Sequence, residues 1–196
     1  MVKQDNRGLR KAQQSIIDAF ICLIKKKGFQ KVTVQEIIEV AHVNKSTFYM
    51  YYLDKYDLLD KIEDQVLAGL REIEDDVPFE TVVKAGINEE TLASTVRFLQ
   101  YMYNHGELFA LLTNDEYCNS SFIRKNREAI MKLWNDKDVL NKFAVPQAYA
   151  LAALYGISTS VIFEWAKNGF IETPEEFLVI YRKIIGTILR NLFTGA

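Results

Sequence analysis

The stretch from Thr33 to Tyr52 constrains this chain more than any other. Thr33-Val34-Gln35-Glu36 is a capping box: the hydroxyl accepts from a backbone N–H, and the carboxylate reaches back to the cap. Val34, Ile37, Ile38 and Ala41 then repeat with the spacing of one helical face. A tight link, Ala41-His42-Val43-Asn44, follows, and Asn44 is a good N-cap for a third helix, Lys45 to Tyr52. Two short helices joined in this way form a helix-turn-helix. The second of them has an unusual outer face. With Phe48 facing the core and a step of about 100° per residue, Tyr52 also turns inward, and Ser46 and Met50 point directly outward. Thr47 and Tyr49 flank them, and Lys45 and Tyr51 lie near the edges. A surface built of Ser, Thr, Tyr and Met without any acid is poorly suited to mere solvation. It suits a helix pressed against DNA, where hydroxyls donate to phosphates and base edges and a Met side chain touches a thymine methyl.

The flanking sequence agrees. A first helix is expected from about Leu9 to Lys27, with Gln13, Ile16, Ile17, Phe20, Ile21 and Ile24 on one face and Cys22 at its edge, read as core. Lys25-Lys26-Lys27-Gly28 closes it: Gly28 accepts a positive φ and the cations complement the helix dipole, a reading preferred to a phosphate-binding patch. A fourth helix is expected from about Asp54 to Glu74, and Lys55 in its first turn is a candidate phosphate clamp. The formal net charge of the whole chain is -2. Residues 1–56 nevertheless hold ten Lys/Arg against five acids, so a basic end sits on an acidic remainder, as expected if one part meets a polyanion. Lys3, Arg7, Arg10 and Lys11 form an N-terminal arm that is either a groove-reaching contact or a solvated tail.

Residues from about 9 to 60 resemble the DNA-binding domain of TetR/AcrR-type transcriptional regulators. The run Thr33-Val34-Gln35-Glu36-Ile37-Ile38-Glu39-Val40-Ala41-His42-Val43-Asn44-Lys45-Ser46-Thr47-Phe48-Tyr49-Met50-Tyr51-Tyr52-Leu53-Asp54-Lys55-Tyr56-Asp57-Leu58-Leu59 carries the likeness. The family pattern has a Thr opening the second helix, a small–Thr–apolar–Tyr run, an aromatic pair, then Lys before an acid and Leu-Leu. The resemblance implies phosphate contacts at Thr33, Tyr49, Tyr51 and Lys55, and a base-reading face of Lys45, Ser46, Thr47 and Met50. His42 stands where the family usually has Gly; it is read as a turn residue with φ > 0.

On this reading the fold class is all-α. An N-terminal three-helix helix-turn-helix domain (residues 1–56, with a connecting helix 54–74) precedes a C-terminal helical effector-binding and dimerisation domain (75–196). Helices are expected over 89–104, 106–113, 120–135, 146–168 and 174–193, after a linker Asp75-Asp76-Val77-Pro78-Phe79. Thr173-Pro174-Glu175-Glu176 opens the last helix with an N-cap, Pro at N1 and acids in the first turn. Ala148, Ala152, Gly156 and Ser160 make a ridge of small side chains, and Phe177, Tyr181, Ile184, Ile185, Ile188 and Leu189 leave the last helix apolar on most sides. Such a helix needs cover from a second subunit, and the resemblance implies a homodimer joined through the last two helices. A homodimer implies a palindromic double-stranded DNA operator and, by family habit, a repressor released by a small-molecule or protein effector. Amphipathic aromatics at Phe98, Tyr101, Tyr117, Trp134, Tyr149 and Trp165 are candidates for lining an effector pocket. The alternative is a helical coregulator governed by a partner protein. The segment Trp165–Phe170 resembles a low-GC Gram-positive variant that includes regulators of dihydroxyacetone kinase operons.

Composition argues against other classes. Two Cys make neither a disulfide framework nor a zinc set, and two His are too few for a His-rich metal site. A reducing cytoplasm is therefore expected, with Cys118, in the loop 114–121, as a possible redox-reactive thiol. No nucleophile–base arrangement, phosphate-cradling Gly loop or metal spacing is present, so no enzyme activity, cofactor or metal is expected. Residues 143–163 carry no charge and approach the length of a bilayer span. Pro146, Gln147, Gly156 and the hydroxyls of Ser158, Thr159 and Ser160 make that stretch a buried helix rather than a membrane one.

Overall fold

A computed structural model of the chain describes residues 3–74, 77–114, 120–135 and 137–193, with backbone alone at 3–8, 74 and 137. Among the described residues eleven α-helices run in order: α1 Lys3–Lys27, α2 Val34–Ala41, α3 Lys45–Tyr51, α4 Lys55–Glu74, α5 Phe79–Ile87, α6 Ala93–Asn104, α7 Gly106–Leu112, α8 Phe122–Leu133, α9 Lys137–Leu140, α10 Gln147–Lys167 and α11 Pro174–Leu192. A 3-10 turn, Phe29–Lys31, lies between α1 and α2. The described residues contain no strand, only an isolated bridge between Phe143 and Phe193. No described helix is long and apolar enough to cross a membrane. The chain divides into two compact units, Met1–Val66 with Leu111–Phe122, and Leu67–Ala110 with Ile123–Ala196.

In the first unit α1 packs on α2 and α3. The face anticipated for α1 is the one buried: Ile16, Phe20 and Ile24 are fully covered, with Phe29, Val32, Ile37, Phe48, Leu58 and Ile62 beside them in the core. Each such side chain contributes about 1.5–3 kcal/mol relative to exposure. Cys22, read as core, is exposed instead. The helix begins at Lys3, so the expected arm is helical in its backbone. Arg10 and Lys11 are exposed, while the side chains of Lys3 and Arg7 lie outside the described residues. Within this unit the buried Glu63 accepts from the backbone N–H (2.8 Å) and the hydroxyl (2.5 Å) of Ser121, just ahead of α8.

The second unit gathers Phe79, Val83, Val139, Leu140, Leu154, Leu189 and Phe193 into one core. The helix expected over 89–104 begins at Ala93, because Glu89 takes φ 56 and breaks the preceding run. Helices α5 and α9 were not anticipated. In α5, Thr81, Val82, Val83 and Gly86 are weak helix formers. The element is held by packing on α11, where a Cβ on Gly186 would stand 2.8 Å from the carbonyl oxygen of Gly86. Arg190 of α11 also caps it, donating to the Ile87 carbonyl (2.9 Å) and pairing with Glu89 (2.9 Å). The start of α11 is as expected, with a complete capping box between Thr173 and Glu176 and Pro174 in the first turn. The Trp165–Phe170 segment spans the last residues of α10 and the turn that follows it. Gly169 and Phe170 have φ 74 and 56. The Trp165 ring stacks on Phe177 at 4.1 Å, and its N–H donates to the Glu172 carbonyl at 3.0 Å.

Candidate nucleic-acid interface and a cavity in the second unit

Helix α2 is fixed at both ends. The Thr33 hydroxyl accepts from the Glu36 N–H (3.3 Å), and Glu36 accepts from the Thr33 N–H (2.9 Å) and hydroxyl (2.8 Å). Lys27 pairs with the same carboxylate. Together the Lys27 ammonium and the two Thr33 donors hold the Glu36 carboxyl down to about 2. At the other end His42 closes the helix in the left-handed region, φ 52 and ψ 40. A residue with a Cβ is strained there. His42→Gly is expected to stabilise the protein by about 0.5–1 kcal/mol, read as a rise in Tm with DNA affinity unchanged.

Helix α3 starts after Asn44, whose extended backbone (φ -78, ψ 152) makes the cap without a side-chain hydrogen bond. Phe48 is fully buried and Tyr52 nearly so. The Phe48 ring meets Tyr52 at 5.6 Å. Burial pushes the Tyr52 phenol above its ordinary range, opposed by a hydrogen bond with Gln13. The opposite face is open: Lys45 and Ser46 are exposed, Met50 is 66% and Tyr49 48% exposed, and Thr47 is half-buried. The Lys45 ammonium lies 6.0 Å from the centre of the Tyr49 ring. No acid occurs between Lys45 and Leu53.

Two residues expected at phosphates have internal partners. The Tyr51 hydroxyl donates to the Leu9 carbonyl at 3.2 Å, tying α3 to α1. Lys55 donates to the carbonyls of Phe29 (3.1 Å), Gln30 (3.0 Å) and Val32 (2.8 Å), and lies over the rings of Phe29 and Tyr56. An ammonium has three N–H donors, so in this conformation none remains for a phosphate. In this conformation Lys55 ties the turn ahead of α2 to the start of α4. Lys55→Met is expected to cost about 2–4 kcal/mol of stability in the first unit, measured by denaturant unfolding. Sequence reasoning missed Lys61, which donates to the Tyr51 carbonyl at the end of α3 (2.8 Å), and Asp57, which accepts from the Leu53 N–H (2.8 Å). Their signal was the Asp57/Lys61 pair, four apart at the start of α4.

The second unit holds a partly open cavity of about 190 Å³ between α5, α6, α8, α10 and α11. Of the six aromatics proposed for a pocket, Phe98 and Trp134 line it. Three do not. Tyr149 is 73% exposed, Trp165 is packed among other aromatics, and Tyr101 lies against Gly69, His105 and Phe109. Tyr117, like Cys118, falls outside the described residues. Arg182, Ser158 and Tyr181 also line the cavity. On α10, Ala148, Ala152 and Ser160 are exposed, and a Cβ on Gly156 would touch nothing within 4 Å. On α11, Ile184, Ile185, Ile188 and Tyr181 are half-buried, with Ile185 and Tyr181 turned to the cavity. Phe177 and Leu189, assigned to a subunit interface from the sequence, belong to the core because the stacked Trp165 and the α5–α11 crossing cover them.

A capped α2, a left-handed turn and an α3 with an open, acid-free face define a helix-turn-helix DNA-binding head. Residues 16–62, which contain α2 and α3, match the family model of bacterial regulatory proteins, tetR family. The chain is similar to an uncharacterized HTH-type transcriptional regulator, YxbF, of Bacillus subtilis (strain 168). They are 24% identical over 104 residues, covering 53% of this chain and 27% of that protein. Its fold is also that of a TetR transcriptional regulator from Streptococcus agalactiae 2603V (23% identity, TM-score 0.57, 94% of this chain and 99% of that one). NalD, the secondary repressor of the MexAB-OprM multidrug efflux pump in Pseudomonas aeruginosa, is similar at 14% identity and TM-score 0.68, over 95% and 99% of the two chains. The dihydroxyacetone kinase operon activator DhaS is similar at 14% identity and TM-score 0.55, over 92% and 96%.

Proposed function

We propose that the protein is a cytoplasmic, homodimeric, sequence-specific transcriptional regulator that represses from a palindromic operator and is released by an effector held in the second unit. The observation that carries this reading is the outer face of α3: Ser46, Tyr49 and Met50 stand open while Phe48 and Tyr52 are sunk in the core. Lys45, Ser46, Thr47 and Met50 would meet base edges, and Thr33 and Tyr49 the phosphates on either side. Lys55 and the Tyr51 hydroxyl hold the head in shape. The ridge Ala148, Ala152, Gly156 and Ser160, with Ile184 and Ile188, is the proposed contact between subunits. Two-fold symmetry would set the two copies of α3 roughly 34–36 Å apart, or a multiple of that, along one face of the duplex.

The test is selection of bound sequences from random duplex DNA, followed by mobility shifts over a salt series. A palindromic consensus is expected, with a log–log salt slope near about −7 if each subunit neutralises about four phosphates. Absence of any sequence preference, or of salt dependence, removes the reading.

A further inference from the structure

We propose that the cavity of the second unit takes a small apolar carboxylate whose anion is held by Arg182. This deepens the effector reading above and depends on it only for its consequence at DNA. The cavity is walled mainly by Val83, Phe98, Trp134, Leu154 and Ile185, yet Arg182 of α11 reaches it. Its Nη1 donates to the Thr91 hydroxyl at 2.7 Å. Its Nε is buried and has no hydrogen-bond partner among the described residues. A buried donor left unmet is costly, more so on a cation. The Nε–H and the neighbouring Nη2 form the edge of a guanidinium that accepts a carboxylate side-on, through two parallel hydrogen bonds. With one Nη1 N–H on Thr91, the edge carrying the unmet Nε–H is the one that a ligand would complete.

The carboxylate at the cavity is that of Glu90, and the Tyr181 phenol also lines it. Glu90 is exposed, accepts from the Asn88 side chain at 3.2 Å, and forms no ion pair with Arg182 among the described residues. A cationic ligand would face the guanidinium, and a neutral hydrocarbon would leave the Nε–H unmet. An apolar acid satisfies both the walls and the fork. Size narrows the class. A dry cavity of about 150 Å³ accommodates benzene, so about 190 Å³ suits one ring or a short chain bearing a carboxylate. A long acyl chain or nucleotide conjugate would have to extend out through the cavity's open side.

The experiment is isothermal titration of the full chain with benzoate, phenylacetate and octanoate, each against its own amide. At least one acid is expected to bind about ten- to a hundredfold tighter than its amide. Arg182→Gln should erase that preference while leaving amide binding unchanged. If acid and amide bind alike, if none of the three acids binds, or if the preference survives Arg182→Gln, the proposal is overturned. Should Arg182→Gln fail to fold, as judged by circular dichroism, the acid-to-amide ratio of the natural chain decides alone. The same acids are then added to the operator complex. Tight acid binding without any change in DNA affinity upholds the site and removes the effector reading. Salt-dependent operator binding without acid binding does the reverse.

Discussion

Gly156→Arg is expected to leave each subunit folded, halve the mass seen by sedimentation, and lower operator affinity by about a hundred- to ten-thousandfold, the avidity lost when two linked heads become one. The subunit itself has room for the change, since a Cβ at Gly156 meets nothing within 4 Å. Arg is also the better helix former by roughly 0.8 kcal/mol, so intrinsic propensity favours the change. Ala148, Ala152 and Ser160 on the same open ridge leave a second helix space to approach closely. A guanidinium in the middle of that ridge would hold the partner off. If the variant still sediments as a dimer and binds operator normally, the subunits meet elsewhere.

Ser46→Glu is expected to abolish specific binding, weakening the operator complex by at least about a hundredfold, or about 3 kcal/mol, without a change in unfolding midpoint. Ser46 is exposed and occupies the centre of the only face of α3 that the core does not use. A carboxylate there would be brought against phosphates and base-edge acceptors and would compete with them for the neighbouring Lys45 ammonium. Ser46→Ala is the matched control and should lose far less. Mobility shifts at two salt concentrations separate this local repulsion from a general loss of charge. Retained operator binding by the Glu variant would place the DNA on another surface.

The head was legible because its residues report on themselves locally. Thr33 and Glu36 satisfy each other three residues apart, His42 sits in a turn that demands φ > 0, and Phe48 and Tyr52 repeat at helical spacing. What could not be read there depended on residues distant in sequence. Lys55 finds its acceptors at Phe29, Gln30 and Val32, and Tyr51 finds Leu9. Nothing in the sequence around either marks a carbonyl so far away. In the second unit, α5 was invisible because its β-branched residues argue against a helix and its support comes from α11. Phe177 and Leu189 were placed on the outside because an all-round apolar helix does not say which side its own subunit covers. Trp165 and Tyr149 looked like pocket residues from composition, but a Trp stacked on Phe177 and a Tyr in the open carry no cavity. Arg182 did leave a trace: it falls four residues after Leu178 and three before Ile185, a cation inserted in an apolar stripe.

The crossing of α5 and α11 at Gly86 and Gly186 bears on selectivity. A Cβ on Gly186 would stand 2.8 Å from the Gly86 carbonyl oxygen, and one on Gly86 would overlap Leu189 Cδ1, so neither position has room for a side chain. Gly86, Ile185 and Leu189 all belong to the cavity wall, so that side is closely packed. A bulkier molecule must find its extra space by displacing Phe98 or Trp134 opposite, and homologous acids of increasing length should therefore report on how far α6 and the end of α8 can retreat.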